Sequence, residues 1–155
     1  MTAHLVDRLP AALAPEQLGQ RQRDTVLLSW EKRRWTRGRL FSAAGRELLI
    51  ALPSGTVLKP GTLLALTDDW YVEVEGAPEE LWALEPRDGR AALMLAYEIG
   101  NHHLPLALAQ DRLLVPCSAA PAHTLERLAR NLAASLGKVT AVFDPWSAGL
   151  GASHG

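Results

Sequence analysis

Tyr97-Glu-Ile-Gly-Asn-His-His-Leu-Pro-Leu-Ala-Leu108 sets two adjacent histidines directly after a Gly-Asn pair that should stop a helix and directly before a short apolar strand. That junction organises the second half of the chain. Upstream of it, Ala92, Leu93, Ala96 and Ile99 recur at helical spacing, a helix begins after Pro86 with Asp88 as its N-cap, and Gly100-Asn101 ends the run. An apolar strand from Leu81 to Leu84 precedes the helix. Downstream, Leu104 to Leu108 and Arg112 to Val115 read as strands on either side of a Gln110-Asp111 turn. Leu125, Leu128 and Leu132 share one face of a second helix from about Pro121 to Leu136, and Lys138 to Phe143 reads as a last strand. The order βαββαβ is that of a ferredoxin-like unit.

The first half obeys a different grammar. Thr25 to Trp30, Gly38 to Phe41, Glu47 to Leu52, Thr62 to Leu66 and Trp70 to Glu75 are short apolar or alternating runs. They are separated by turn residues at Ala44-Gly45, Pro53-Ser-Gly55, Lys59-Pro-Gly61 and Asp68-Asp69. Short strands at close, regular spacing predict a small all-β barrel or sandwich. The expected class is therefore α+β, a small N-terminal all-β domain followed by a ferredoxin-like βαββαβ C-terminal domain. The domains are placed at residues 1–20 (a flexible lead-in without a sustained period), 21–78 (the β domain), 79–145 (the ferredoxin-like domain) and 146–155 (a flexible tail rich in Gly, Ser and Ala).

Bulk properties narrow the partners. The 155 residues carry a formal net charge of -1, which gives no global attraction to nucleic acid or to an anionic membrane. Charge is uneven, with Lys32, Arg33, Arg34, Arg37 and Arg39 crowded together and an acidic middle from Asp68 to Glu85. The basic stretch, which contains Trp35, is read as a solvated or protein-binding face on a hairpin rather than as a phosphate-backbone site. Cys117 is the only cysteine, so no intrachain disulfide forms and a cytoplasmic address is the default. Asp7, Arg8, Pro10, Pro15 and Glu16 stand where a signal peptide would be apolar, and no apolar run comes near the roughly 20 residues that span a bilayer.

The histidines are the chemistry-bearing residues. Neutral imidazole suits Ni, Cu, Zn and Co, but one nitrogen does not hold a divalent ion against water. If the pair enters a strand, successive side chains face opposite ways, so His102 and His103 would not share an ion. A twofold axis beside His103 would supply the same imidazole from a second chain. Such an open site suits an ion that is handed on. On the residues alone, a pair that packs or faces water is the more ordinary reading, and the chain is then a non-catalytic protein-binding adaptor whose histidines pack at a dimer interface. A metal-dependent enzyme or a metal-responsive regulator using the same histidines is a further alternative. His4 and His123 read as solvated, Cys117 as a small buried hydrophobe, and Trp30, Trp70, Trp82 and Trp146 as packing residues. No Gly-rich phosphate loop, Gly-x-Ser-x-Gly elbow or His-Glu-x-x-His helix is present, so no enzyme is expected.

Three blocks carry a family resemblance. Tyr97-Glu-Ile-Gly-Asn-His-His-Leu-Pro-Leu resembles the signature of the urease accessory nickel metallochaperone family UreE, where a helix ends in Gly-Asn-Arg-His followed by an apolar residue and proline. Leu52-Pro-Ser-Gly-Thr-Val-Leu-Lys-Pro-Gly-Thr-Leu-Leu64 is similar to that family's Leu-Pro-x-Gly-Thr hairpin, and Val142-Phe-Asp-Pro145 to the Phe-x-Pro that closes its last strand. The resemblance implies an N-terminal β domain that meets partner proteins and a C-terminal domain that dimerises and binds nickel. It places the family's metal histidine on His103 and puts His102 where the family commonly has Arg. Many relatives end in a histidine run; here His154 is the tail's one histidine and a candidate ligand that could reach a metal at the dimer axis. The implied function is Ni(2+) delivery, as bound cargo, to the urease apoprotein with its GTP-dependent accessory proteins. Imidazole alone does not select nickel, so Zn(2+) or Cu(2+) is expected to compete in vitro.

Overall fold

The computed structural model describes residues 2–145, and these divide into two compact units between Ala77 and Pro78. In the first unit the strands are β1 (His4–Val6), β2 (Gln22–Leu28), β3 (Arg37–Phe41), β4 (Glu47–Ala51), β5 (Leu63–Leu66) and β6 (Trp70–Gly76). A one-turn helix α1 (Pro15–Leu18) lies between β1 and β2, and a 3-10 turn spans Lys32–Arg34. The strands form two three-stranded sheets, β1-β4-β3 and β2-β6-β5. Their inward side chains alternate with outward ones, as at Leu48 and Ile50 against Glu47, Leu49 and Ala51. One core of Val6, Val26, Leu28, Leu40, Leu48, Ile50, Leu64, Val72 and Val74 joins the two sheets, which makes the unit a small sandwich.

Two features depart from the sequence reading. The lead-in is partly built into the sandwich, because His4–Val6 pairs in parallel with Leu48–Ile50 and buries Val6. A three-residue strand is too short to show a period. The Leu52–Leu64 block is not a hairpin: it carries the chain from β4 in one sheet to β5 in the other, with Gly55 at φ 87° and Gly61 at φ 90° making its turns. Its Leu52, Leu58 and Leu64 are buried, so its apolar spacing reports core anchoring.

The first unit also encloses a polar network that composition does not announce. Asp24 and Ser42 are buried. The Asp24 carboxylate accepts hydrogen bonds from Ser42 Oγ, from Arg46 Nη1 at 2.8 Å, from Ala44 N at 3.0 Å and from Thr25 N at 2.8 Å. The Arg46 guanidinium lies 4.6 Å from the centroid of the Trp70 ring, and His4 meets the same indole edge-on at 5.3 Å. Burial pushes the Asp24 carboxyl up, but the hydrogen bonds from Ser42, Arg46, Ala44 and Thr25 outweigh it and hold the group below its ordinary value.

The second unit runs β7 (Pro78–Glu85), α2 (Gly89–Asn101), β8 (Ala107–Ala109), β9 (Arg112–Pro116), α3 (Ala122–Asn131) and β10 (Ser135–Val142). The sheet order β10-β7-β9-β8, antiparallel throughout, is the fourth-first-third-second order of a ferredoxin-like unit. Leu84, Leu113 and Val115 from the sheet meet Leu95 and Ile99 of α2 and Leu125, Leu128 and Ala129 of α3 in one core. The α+β class and its two-domain order stand as expected. Helix α3 is shorter than its leucine spacing suggested, because Ala133 adopts φ 51° and turns the chain into β10 at Ser135.

Candidate metal site at the helix exit

Helix α2 starts where the sequence places it: the Asp88 side chain accepts a hydrogen bond from Ala91 N at 2.8 Å. Its buried face is Ala91, Leu95 and Ile99. Leu93, which recurs at helical spacing with Ile99, is 75% exposed, and Tyr97 is 69% exposed with Met94 beside them. From Ala91 to Ile99 only Glu98 is charged, so periodicity cannot phase this helix. The readable signal was that apolar residues on every side demand a second covered face.

The helix ends at Gly100-Asn101, where the sequence places its stop. It runs through Asn101, with His102 as C-cap at φ -85°, and the chain reverses at His103, whose φ is +57°. The His103 N–H donates to Gly100 O at 2.9 Å and the Leu104 N–H donates to Ile99 O at 3.1 Å. These two bonds are those of a Schellman cap, with His103 in the left-handed position that glycine usually fills. A side chain in that conformation costs about 1–2 kcal/mol relative to glycine. Helix α3 ends in the same way, with Ala133 left-handed and Ala134 N–H donating to Ala129 O at 2.9 Å.

His102 and His103 are both exposed and lie in a turn that precedes β8 by several residues. The strand-alternation argument that separated their side chains therefore does not apply. His123 is exposed in the first turn of α3, and His4 is half-buried against Trp70 in the other unit. Cys117 is half-buried, and burial pushes its thiol up, opposed by the Lys138 charge, so it is held as thiol rather than as the thiolate a soft metal needs. His154 lies outside the described residues, as do Trp146 and the rest of the tail. Among the described residues no three His, Cys, Asp or Glu side chains gather where they could hold a metal ion. One chain thus presents two exposed imidazoles at a helix exit. No helix among the described residues is long and apolar enough to cross a membrane.

Fold and site define a two-domain α+β protein in which a ferredoxin-like unit presents histidines at a capped helix exit, beside an uncovered apolar helix face. Its sequence relatives give that class a family. The family model described as UreE urease accessory protein, N-terminal domain, matches residues 5–77, and that for the C-terminal domain matches residues 79–155. The chain is similar to the urease accessory protein UreE of Chelativorans sp., 36% identical over 122 residues that cover 79% of this chain and 75% of the relative. It is also similar to the UreE of Albidiferax ferrireducens, at 31% over 137 residues covering 86% and 75%, and of Methylibium petroleiphilum, at 34% over 151 residues covering 94% and 67%. The chain belongs to the UreE family of urease accessory proteins.

Proposed function

We propose that this chain is a cytoplasmic, homodimeric metallochaperone, not an enzyme, that binds Ni(2+) between two copies of His103 and delivers it for assembly of the urease active site. Nickel is cargo, and the ligands must exchange for it to leave. His102 is an auxiliary ligand from the same turn, and His154 of the tail is another candidate. The receiving partners are the urease apoprotein and its GTP-dependent accessory proteins, met by the N-terminal β domain at residues 21–78, while residues 79–145 dimerise. Zn(2+) and Cu(2+) compete for the same imidazoles in vitro.

The observation that carries this reading is the placement of exposed His103 at the end of a helix whose apolar face is uncovered. Leu93, Tyr97 and Gly100 recur at i, i+4 and i+7 on α2, and the Cβ that Gly100 lacks would have met nothing within 4 Å of its own chain. Nothing inside the protomer requires glycine there, whereas close approach of a second helix does. In this reading the twofold axis passes at the Gly100 end of the stripe, so that the two helix exits, and two His103 imidazoles, meet there.

The double variant Leu93→Glu/Tyr97→Glu tests the shared site. It places charge on an exposed face and leaves the folded core untouched. Sedimentation should give a monomer, and equilibrium dialysis should give nickel affinity at least tenfold weaker even though His103 is retained. A monomer that binds nickel as tightly as the parent would refute a site built from two chains.

A further inference from the structure

Among the described residues no hydrogen bond or ion pair holds the exposed His103 imidazole, so whatever aims it acts through the backbone. The backbone there is over-determined. Two hydrogen bonds close the cap, the Leu104 N–H to Ile99 O and the His103 N–H to Gly100 O. The Leu104 side chain packs against the core cluster that contains Ile99, which is fully buried. Pro105 follows and restricts Leu104 to extended conformations. Leu104 is therefore clamped by its amide, by its side chain and by the ring after it.

We infer that Leu104 is the positioning residue of the metal site: its packing against the Ile99 cluster holds His103 in the left-handed conformation and fixes the direction of the imidazole. The mechanism is conformational. A right-handed residue at a helix end leans its side chain back over the preceding turn, whereas the left-handed residue of the cap departs from the helix and carries its Cβ away from it. Left-handed histidine is disfavoured by an amount equivalent to about a tenfold population change or more. Without the clamp His103 relaxes to its ordinary conformations, and the ligand-competent orientation becomes a minor state whose fraction scales the affinity. This role rests on His103 being the ligand.

The test compares Leu104→Ala with Leu104→Met in the full-length, metal-free protein. Leu104→Ala is expected to weaken Ni(2+) binding about tenfold by equilibrium dialysis, and Leu104→Met to restore the parent affinity. Leu125→Ala, in the same core but remote from the cap, should lower Tm at least as much and leave nickel affinity unchanged. X-ray absorption of the nickel-saturated Leu104→Ala variant should show fewer imidazole ligands than the parent. Parent affinity in Leu104→Ala, or an equal loss of affinity in Leu125→Ala, overturns the positioning role. His103→Ala, run alongside, separates the two levels. If it keeps nickel, the ligand assignment itself fails; if it loses nickel while Leu104→Ala does not, only the positioning role fails.

Discussion

Replacing His103 with glycine should make the metal-free protein more stable while removing the proposed nickel site. The histidine sits at φ +57° in the cap position that glycine fills without strain, and its imidazole is exposed, so the substitution loses no packing. Relief of the left-handed penalty, partly offset by the greater entropy of an unfolded glycine, leaves a gain of about 1 kcal/mol, or about 2–4 °C in Tm. His103→Ala loses the same ligand but keeps the strain, so it should show no gain. Ala133→Gly supplies an internal control, because Ala133 occupies the equivalent position after α3 at φ 51°. It should raise Tm by a similar amount and leave nickel binding untouched. Thermal unfolding with chelator present, at fixed protein concentration, separates these effects from stabilisation by bound metal or by dimerisation. A His103→Gly protein less stable than His103→Ala would contradict the cap geometry.

The largest loss of stability is expected at Asp24, in the other unit. Asp24→Ala removes the acceptor for Ser42 Oγ, Arg46 Nη1, Ala44 N and Thr25 N together, and leaves a guanidinium whose side chain is 22% exposed without its carboxylate. Breaking a buried pair in this way costs about 3–5 kcal/mol. The same carboxylate predicts a pH signature. Its folded-state pKa lies below the ordinary value, so its contribution is complete above about pH 3.9, the unfolded reference, and is lost as pH falls through the folded value. Denaturant midpoints measured from neutral pH downward should therefore fall for the parent in that acid window and fall less for Asp24→Ala. Equal acid slopes for the two proteins would remove Asp24 as a source of the acid dependence.

Much of the fold was legible because its elements obey local rules. The β-to-βαββαβ change at Pro78, the Asp88 cap and the leucine face of α3 are all written in spacing and cap chemistry. The short strand His4–Val6 was not, since its order comes from parallel pairing with Leu48–Ile50, more than forty residues away. Nor was the Asp24 network: one aspartate at the edge of an apolar run looks like any solvated turn residue until Ser42 and Arg46 are brought beside it. Arg33 makes the same point, being buried at 2% exposure inside a stretch whose charge suggested a solvated face. At the site, the helix exit at Gly100-Asn101 and its two histidines were readable, but the form of the cap was not. The left-handed position that glycine usually fills in such a cap is His103, just past the helix end, and it carries an imidazole. The outward face of α2 was hidden for the opposite reason, because a helix apolar on all sides gives no phase from which to choose the buried one.

The central claim, that two His103 side chains share a nickel ion, is tested most directly by equilibrium dialysis of Ni(2+) against the parent and His103→Ala, with each protein's oligomeric state fixed by sedimentation. The expected result is a His103-dependent ion numbering one per two chains in a dimeric parent, absent from a variant that remains dimeric. Unchanged nickel stoichiometry and affinity in His103→Ala would contradict the claim.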